Sequence, residues 1–362
     1  MSEIENKELN ENEEKDEKVV SSNENRRRKK KRLLLLFLLL LVTGILVGTS
    51  TYAWFTANKT VAVNDITVNV AAQNGIQVSV DGTSWKSIIQ TTDLLNASAK
   101  YTGAVNQIPS TTNSIVPVST VGNINTNGRM EMFVGDVKTD TDTGDYILTA
   151  TQENEANGTT GSFIAFDLFF KVDDDTPVYI TPNSGVSTSD VDDTGIKNAA
   201  RIGFVMLGNT AAGSDLATIQ GMNAGSTATK YIWEPNYDIH TAAGVSNAYD
   251  TYGITTTQTG GSALAYSGVK AAIADANKVF LKVAAPATHA STYGTYFDAV
   301  TPDFKTVNAF DTKFSAFTFT KGITKVRIYM WVEGQDVDCE NGASGGNVTY
   351  SRSEERRVGK EC

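Results

Sequence analysis

An acidic turn between two predicted strands has residues that could bind a hard metal cation. In the segment "DTDTGD", Asp140, Asp142 and Asp145 follow one another at short intervals. Carboxylates spaced in this way can converge on one calcium ion, because hard oxygen ligands suit a hard cation. An EF-hand loop has glycine at its sixth position and glutamate at its twelfth, whereas this segment has Asp145 and Thr151 there. Calcium bound by the three aspartates is therefore one hypothesis, and a solvated turn without an ion is the alternative.

A second acidic group stands near the end of the chain. The segment "WVEGQDVDCENG" carries Glu333, Asp336 and Asp338 directly after a strongly alternating apolar stretch. Carboxylates grouped in this way can form a cation site. They can also be the polar end of a strand, and the sequence favours this second interpretation.

Three aromatic residues form a possible ligand patch. Tyr231, Trp233 and Tyr237 lie close together in "YIWEPNYDIH". Aromatic rings exposed on a loop can bind sugars or a partner protein, and rings that are buried instead anchor the loop to the core. The sequence leaves both interpretations open.

The sequence shows no hydrolytic motif in the context that catalysis requires. It lacks the HExxH pattern of zinc proteases. Its GxSxG match, "GASGG" at 342–346, does not directly follow a predicted strand, as the nucleophile elbow of serine hydrolases does. Its two histidines, His240 and His289, stand in separate polar segments, and we interpret both as surface residues. A zinc site needs at least three ligands at suitable spacing. The sequence therefore predicts a protein that is not an enzyme, with a metal-dependent hydrolase as the least favoured alternative.

The composition restricts the class of partner. The chain has 41 acidic and 31 basic residues, with a net charge of -10. So acidic a protein repels the phosphate backbone, which argues against nucleic acid as a partner. The two cysteines, Cys339 and Cys362, are too few for a disulfide framework. Abundant Thr, Ser, Asn, Gly and Val favour many short strands.

Alternating apolar residues predict an all-β fold with minor helix. "SFIAFDLFFKV", Ser162–Val172, is apolar on both faces and is therefore predicted to be a central strand. "GRMEMFVGDV" and "GDYILTATQ" flank a polar turn and predict a hairpin. About ten such strands predict a two-sheet β-sandwich with jelly-roll-like connections. A long Gly-, Ser- and Thr-rich excursion around residues 208–268 is expected to contain few regular elements, and a mixed α+β domain is the alternative fold.

The amino-terminal part predicts export. Residues 1–32 form an acidic leader, expected to be disordered and cytoplasmic, that ends in the basic block Arg26–Arg32. The apolar segment 33–53 follows and predicts a signal peptide or a transmembrane segment. Small residues at Thr51 and Ala53 fit signal-peptidase cleavage before Trp54. The body, 54–351, is then secreted or exposed at the cell surface, and it stays tethered to the membrane if the leader is kept.

The segment 352–362 has a different character. Its sequence, "RSEERRVGKEC", resembles the in-frame translation of a sequencing adapter. On this hypothesis Cys362 is not part of the natural protein, and the natural sequence continues past Ser351.

Two quoted motifs carry a resemblance to a known family. "GTSTYAWFT", Gly48–Thr56, resembles the signal-peptide exit of the TasA/camelysin proteins of Gram-positive bacteria, and "KTVAVNDITVNVAA" is similar to the start of their β-sandwich. The resemblance implies export with a SipW-type signal peptidase. It also implies fibres of the biofilm matrix that assemble when the amino-terminal strand of one subunit completes the sheet of the next. The partners expected are the signal peptidase, further copies of the chain and other surface proteins.

These observations favour one function and leave a second open. The favoured function is that of an exported, non-enzymatic surface or extracellular-matrix protein, with the segment after Ala53 as donor strand. The alternative is a membrane-tethered binding module for a glycan or a protein ligand.

Overall fold

The described part of the chain begins at the first strand. The computed structural model describes residues 61–71, 76–96, 101–109, 114–144, 146–155, 158–180, 184–188, 194–237, 239–252, 266–280, 290–304, 316–340, 343 and 347–355. The predicted leader, the apolar segment 33–53 and the cleavage residues Thr51, Ala53 and Trp54 lie outside these ranges. Within the described ranges, none of the helices is long and apolar enough to cross a membrane.

A six-stranded antiparallel sheet forms the centre of the fold. The strand order is β13-β12-β18-β9-β2, and β4 also pairs with β9. The predicted central strand is confirmed, because β9 has a neighbour on each side and is buried along nearly its whole length. The six strands are β2 (Gln77–Ser79), β4 (Asn106–Gln107), β9 (Ile164–Val172), β12 (Ala200–Thr210), β13 (Thr229–Trp233) and β18 (Gly322–Val332).

A five-stranded sheet contains the first and last strands of the described chain. The amino-terminal strand β1 is parallel to β19 on one side and antiparallel to β3 and β5 on the other. The last strand extends to Glu355, and its residues from Arg352 onward pair with β1. The five strands are β1 (Val61–Ala71), β3 (Ile88–Ile89), β5 (Ser114–Ile115), β11 (Gly185–Ser187) and β19 (Asn347–Glu355).

Smaller sheets and short helices complete the structure. The predicted hairpin is confirmed as β7 (Met132–Thr139) paired with β8 (Tyr146–Glu153), and it belongs to a four-stranded sheet with β6 (Val118–Ser119) and β15 (Val279–Phe280). Two further pairs join β10 (Thr176–Val178) to β17 (Phe317–Phe319) and β14 (Tyr266–Val269) to β16 (Phe297–Val300). The α-helices are Thr91–Leu95, Leu216–Gly221, Ala242–Tyr252 and Ala290–Tyr296, and the 3-10 helices are Ile196–Ala199, Gly225–Thr227 and Asp275–Asn277.

The central sheet is covered on both faces. On one face its side chains, Phe166 and Ile328 among them, share a core with Val61 and Val348 of the five-stranded sheet. The residues of the opposite face share a second core with the strands β6, β7, β14 and β16. That second core includes Phe163, Ala165, Tyr329, Trp331, Val118, Met132, Tyr266 and Val300. The all-β prediction is therefore confirmed, and the two larger sheets form the expected sandwich with a further β layer on the outer face of the central sheet.

The excursion around residues 208–268 contains more regular structure than the sequence predicts. Strand β13 pairs with β12 along the edge of the central sheet, and two α-helices and a 3-10 helix precede or follow it in the same segment of the chain. The sequence of β13, "TKYIW", is buried only at its last two residues. Its polar first half resembles a loop in composition, and only the pairing with β12 identifies it as a strand. Residues 253–265 lie outside the described ranges.

A buried ion pair joins the neighbouring strands β9 and β18 of the central sheet. Asp167 on β9 and Arg327 on β18 are register partners, and both are almost fully buried. Arg327 Nε and Nη2 donate to the two carboxylate oxygens at 2.7 and 3.1 Å. Burial alone would raise the pKa of Asp167, but the charge and hydrogen bonds of Arg327 and the charge of Lys325 outweigh it and lower that pKa. The aspartate is therefore ionised in the folded protein.

We expect Asp167→Asn to destabilise the fold by about 3–5 kcal/mol, because it leaves Arg327 charged and buried without its carboxylate. The measurement is the free energy of unfolding from urea denaturation. The matched control is Asp298→Asn, since Asp298 is 56% exposed at its side chain and pairs with Lys270. An exposed pair of this kind contributes no more than about 1 kcal/mol. Equal effects of the two substitutions would contradict the importance of the buried pair.

The wild type and Asp167→Asn are also expected to differ in how their stability depends on pH. The folded pKa of Asp167 lies below its ordinary value of 3.8, so the folded state binds this proton less readily than the unfolded state does. The stabilisation is therefore fully present above the ordinary pKa and is lost as the pH falls through the lowered folded pKa. We expect the difference in unfolding free energy between wild type and Asp167→Asn to shrink over that range. A constant difference down to the acid-unfolding midpoint would contradict the prediction.

Candidate functional site

Charged side chains meet where three strands of the central sheet lie side by side. Strand β12 pairs with β13 on one edge and with β18 on the other. Because both neighbours are antiparallel to β12, their carboxyl ends lie beside its beginning. Arg201 near the start of β12 is thus close to Glu234, which follows β13, and to the loop that follows β18.

Arg201 is the centre of this buried acidic cluster, which we define as Arg201, Glu234, His240, Glu333, Asp336 and Asp338. The guanidinium is fully buried, and its Nη2 lies 2.8 Å from Glu234 Oε1 and also bonds to Asp336 Oδ2. Its Nη1 donates to the carbonyl oxygens of Asn198 and Ala200 at 3.0 and 3.1 Å. Burial lowers the pKa of Arg201, but Glu234 and Asp336 outweigh burial and raise it.

The loop after β18 presents its two aspartates through consecutive turns. The amide of Asp336 donates to the carbonyl oxygen of Glu333, and the amide of Cys339 donates to that of Asp336. The amide of Asp338 donates to Asp336 Oδ1 at 2.8 Å. These local hydrogen bonds hold both carboxylates in the interior, where Asp336 is 2% and Asp338 1% exposed.

Asp338 connects this loop to the segment before the helix Ala242–Tyr252. Its Oδ1 accepts hydrogen bonds from the amide and the hydroxyl of Thr241 at 2.8 and 2.9 Å. Its Oδ2 lies 2.7 Å from Nδ1 of His240. The helix begins so close to this carboxylate that a Cβ at Gly244 would collide with Oδ1. Because Gly244 has no side chain, the carboxylate of Asp338 has room beside the helix.

Burial shifts the acid–base behaviour of the cluster. Desolvation raises the pKa of Asp338 despite its hydrogen bond with His240, and it raises the pKa of Glu333 to about 7 despite hydrogen bonds from Ser119, Gln335 and Trp331. For His240, burial favours the neutral ring, but the hydrogen bond with Asp338 and the charge of Asp336 outweigh it and raise the pKa. The cluster thus holds more acidic groups than Arg201 alone can neutralise.

The interpretation of His240 as a surface residue is wrong. Its side chain is 2% exposed and is bonded to Asp338, which lies 98 positions further along the chain. One nitrogen of His240 and one oxygen each of Asp336 and Asp338 all lie within 4.8 Å of one another. Asp336 and Asp338 lie just past the end of β18, as the sequence predicts, and both carboxylates are interior. His289 lies outside the described ranges.

Sequence reasoning had one signal for this cluster that it did not use. Arg201 stands within the apolar strand "AARIGFVML". A permanently charged side chain on a buried strand requires acidic partners. The sequence could therefore have predicted that carboxylates meet Arg201, but the separation of His240 from Asp338 gave no indication that these two residues pair.

In the predicted calcium turn, two of the three aspartates contact a lysine from a distant part of the chain. Lys278 Nζ lies 3.2 Å from Asp140 Oδ1 and also bonds to Asp142. The Thr143 hydroxyl and the amide of Asp142 donate to Asp140 as well. Asp145 lies outside the described ranges. The ammonium group occupies the position next to both described carboxylates, and calcium binding at this turn stays a prediction.

The three residues of the predicted aromatic patch differ in how deeply they are buried. Trp233 is fully buried in the core at the end of β13. Tyr231 is half-buried and stacks on Phe304 with 5.4 Å between ring centroids. Tyr237 is also half-buried. The buried ring of Trp233 matches the core-anchoring interpretation, and ligand binding through the other two stays a prediction.

Comparison with known proteins gives no further assignment. No protein-family model matches the chain, and neither a curated protein nor a solved structure gives a match. The resemblance to the TasA/camelysin proteins therefore depends on the quoted sequence motifs alone.

Proposed function

We propose that the chain is an exported, non-enzymatic protein of the cell surface or extracellular matrix that self-associates through its amino-terminal strand. The observation that carries this proposal is the position of β1. It lies inside its sheet, with β19 on one side and β3 and β5 on the other. The strand that follows the predicted export signal therefore completes a sheet built from distant parts of the chain.

The contacts of β1 could equally be supplied by another copy. Backbone hydrogen bonds and core contacts across a sheet depend on register and not on chain connectivity. Val61 is fully buried and lies opposite Ile115, which is 1% exposed. A subunit that lends β1 to its neighbour would fill the same core position, which is the basis of strand exchange.

The acidic cluster supports a non-enzymatic role. His240 and Asp338 form a pair that resembles part of a catalytic triad, but their side chains are 2% and 0% exposed. A protein or polysaccharide substrate has no access to side chains buried to this degree. Burial of the pair therefore favours a structural or ion-binding role over hydrolysis.

A disulfide can test whether β1 moves between copies. We expect the double variant Val61→Cys, Ile115→Cys, made with Cys362→Ser, to lock β1 in its own sheet when it is oxidised as a monomer. The locked exported protein should form no filaments in the electron microscope, because β1 is no longer available to a neighbour. After reduction, the same protein should form filaments.

A second cysteine pair serves as the matched control. Val134→Cys, Thr151→Cys joins β7 to β8, which are register partners outside the five-stranded sheet, and its oxidation should leave filament formation unchanged. Filaments from the oxidised 61–115 protein would overturn strand exchange. Absence of filaments from the exported wild-type protein would overturn self-association.

Amino-terminal sequencing tests the export step separately. We expect the exported protein to begin at Trp54, because Thr51 and Ala53 supply the small residues that signal peptidase requires. Exported material that retains residues 1–53 would contradict cleavage and would favour the membrane-tethered binding module.

A further inference from the structure

Glu333 is buried at the junction between the central sheet and the β layer on its outer face. It directly follows β18, and its side chain is fully buried. Its amide donates to the carbonyl oxygen of Ala199 at 2.8 Å, and the amide of Gly334 donates to that of Val118 in β6 at 2.8 Å. The carboxyl group of Glu333 therefore lies where the end of β18, the segment before β12 and strand β6 meet.

Three uncharged donors surround this carboxyl group. Trp331 Nε1 donates to Oε2 at 3.1 Å, and the amide of Gln335 donates to Oε1 at 3.1 Å. The hydroxyl of Ser119 in β6 forms the third hydrogen bond. The same hydroxyl oxygen accepts from the amide of Val269 in β14 at 3.0 Å. Glu333 thus connects β18 to β6 and, through Ser119, to β14.

The cations of the junction are bonded to other carboxylates. Arg201 bonds to Glu234 and Asp336, and His240 bonds to Asp338. Within the described ranges Glu333 forms no ion pair, and Arg201 acts on it through the attraction of its charge. A buried carboxylate without a bonded cation is costly, so burial favours the protonated form of Glu333.

The other ionisable groups at the junction add to this preference. Four of them are carboxyls and at most three are cations, so the surroundings disfavour a further negative charge on Glu333. The phenol of Tyr266 has a pKa well above its ordinary value because it is buried, and it is therefore neutral. The groups are Lys197 on the 3-10 helix Ile196–Ala199, Arg201 on β12, Glu234 after β13, His240 before the helix Ala242–Tyr252, Tyr266 on β14, and Asp336, Asp338 and Glu340 in the loop after β18.

Ser119 allows the junction to hold either protonation state of Glu333. An indole or amide N–H can only donate, whereas a hydroxyl can both donate and accept. Ser119 can therefore donate to an ionised Glu333 and accept from a protonated one. The protonated form retains its hydrogen bonds and carries no charge, while the ionised form retains them with an uncompensated buried charge.

We propose that Glu333 is a proton-operated latch: when protonated it holds the loop between β18 and β19 against the outer β layer, and when ionised it loosens that loop. The loop leads to β19, which is the parallel partner of β1. The latch is a property of the folded chain and does not depend on self-association.

The direction of the pH effect follows from burial. Desolvation raises the pKa of Glu333 from 4.5 to about 7, so the closed loop binds this proton more readily than an opened, solvated loop does. The stabilisation is fully present below the ordinary pKa and is lost as the pH rises through about 7. His240 and Asp338 also have raised pKa values, so only a change at position 333 isolates the contribution of Glu333.

Cys339 can report the opening of this loop. Its side chain is fully buried, and its amide donates to the carbonyl oxygen of Asp336, whose own amide donates to that of Glu333. In the full-length chain with Cys362→Ser, kept in a neutral detergent, Cys339 is the only thiol. The rate at which a thiol reagent modifies Cys339, divided by the rate for the same chain unfolded at the same pH, measures how often the loop opens.

The decisive variant is Glu333→Gln, because its amide resembles the protonated acid and does not titrate. We expect opening of the wild type relative to Glu333→Gln to increase on the order of 10-fold between about pH 5.5 and 7.5, since one pKa unit corresponds to a tenfold change. The control Asp298→Asn removes an exposed carboxylate and should follow the wild type at every pH. A ratio of wild type to Glu333→Gln that does not change with pH would overturn the latch.

Nuclear magnetic resonance keeps the test decisive if Glu333→Gln fails to fold. In the wild-type chain with carbon-13 in the glutamate side-chain carboxyls, we expect a carboxyl that titrates near pH 7. Ser119→Ala should shift that resonance, because this variant removes the hydroxyl partner of Glu333. Titration of every glutamate carboxyl near the ordinary pKa of about 4.3, or a resonance near pH 7 that Ser119→Ala leaves unchanged, would overturn the proposal.

Discussion

The structure depends on the removal of water from both faces of the central sheet. Strands β9, β12 and β18 have cores above and below them, so a charged side chain on these strands must find its partner inside the protein. Asp167 meets Arg327 across the sheet, and Arg201 meets Glu234 and Asp336 at its end. The desolvation of these groups makes each ion pair strongly dependent on the presence of both members.

This constraint also connects the sheet to the loops around it. Arg201 bonds to Glu234 and Asp336, which lie in the loops that follow β13 and β18. In the second of these loops, Asp338 bonds to His240 and Thr241, which precede the helix Ala242–Tyr252. The polar interactions continue outward from a rigid strand through hydrogen-bonded side chains. The loops are consequently fixed by specific charges as well as by apolar packing.

Much of the fold is predictable from alternating apolar residues. The strand at Ser162–Val172 and the hairpin β7–β8 are found where the sequence indicates them, because a buried strand needs apolar side chains on the faces it covers. Strand β13 was not predictable in this way, since it is an edge strand with a polar first half. Among the predicted site residues, Trp233 is core, while the pairing of His240 with Asp338 depends on a separation of 98 positions.

The sequence by itself determined the β class of the protein, its acidity and its central strand at Ser162–Val172. These properties depend on local composition and on periodicity over a few residues. Only the tertiary structure decided that Arg201, His240, Asp336 and Asp338 meet in one buried cluster, and that the amino-terminal strand lies inside a sheet. The physical reason is that register and strand order bring distant segments together, and burial then turns ordinary surface residue types into a desolvated, charge-rich site.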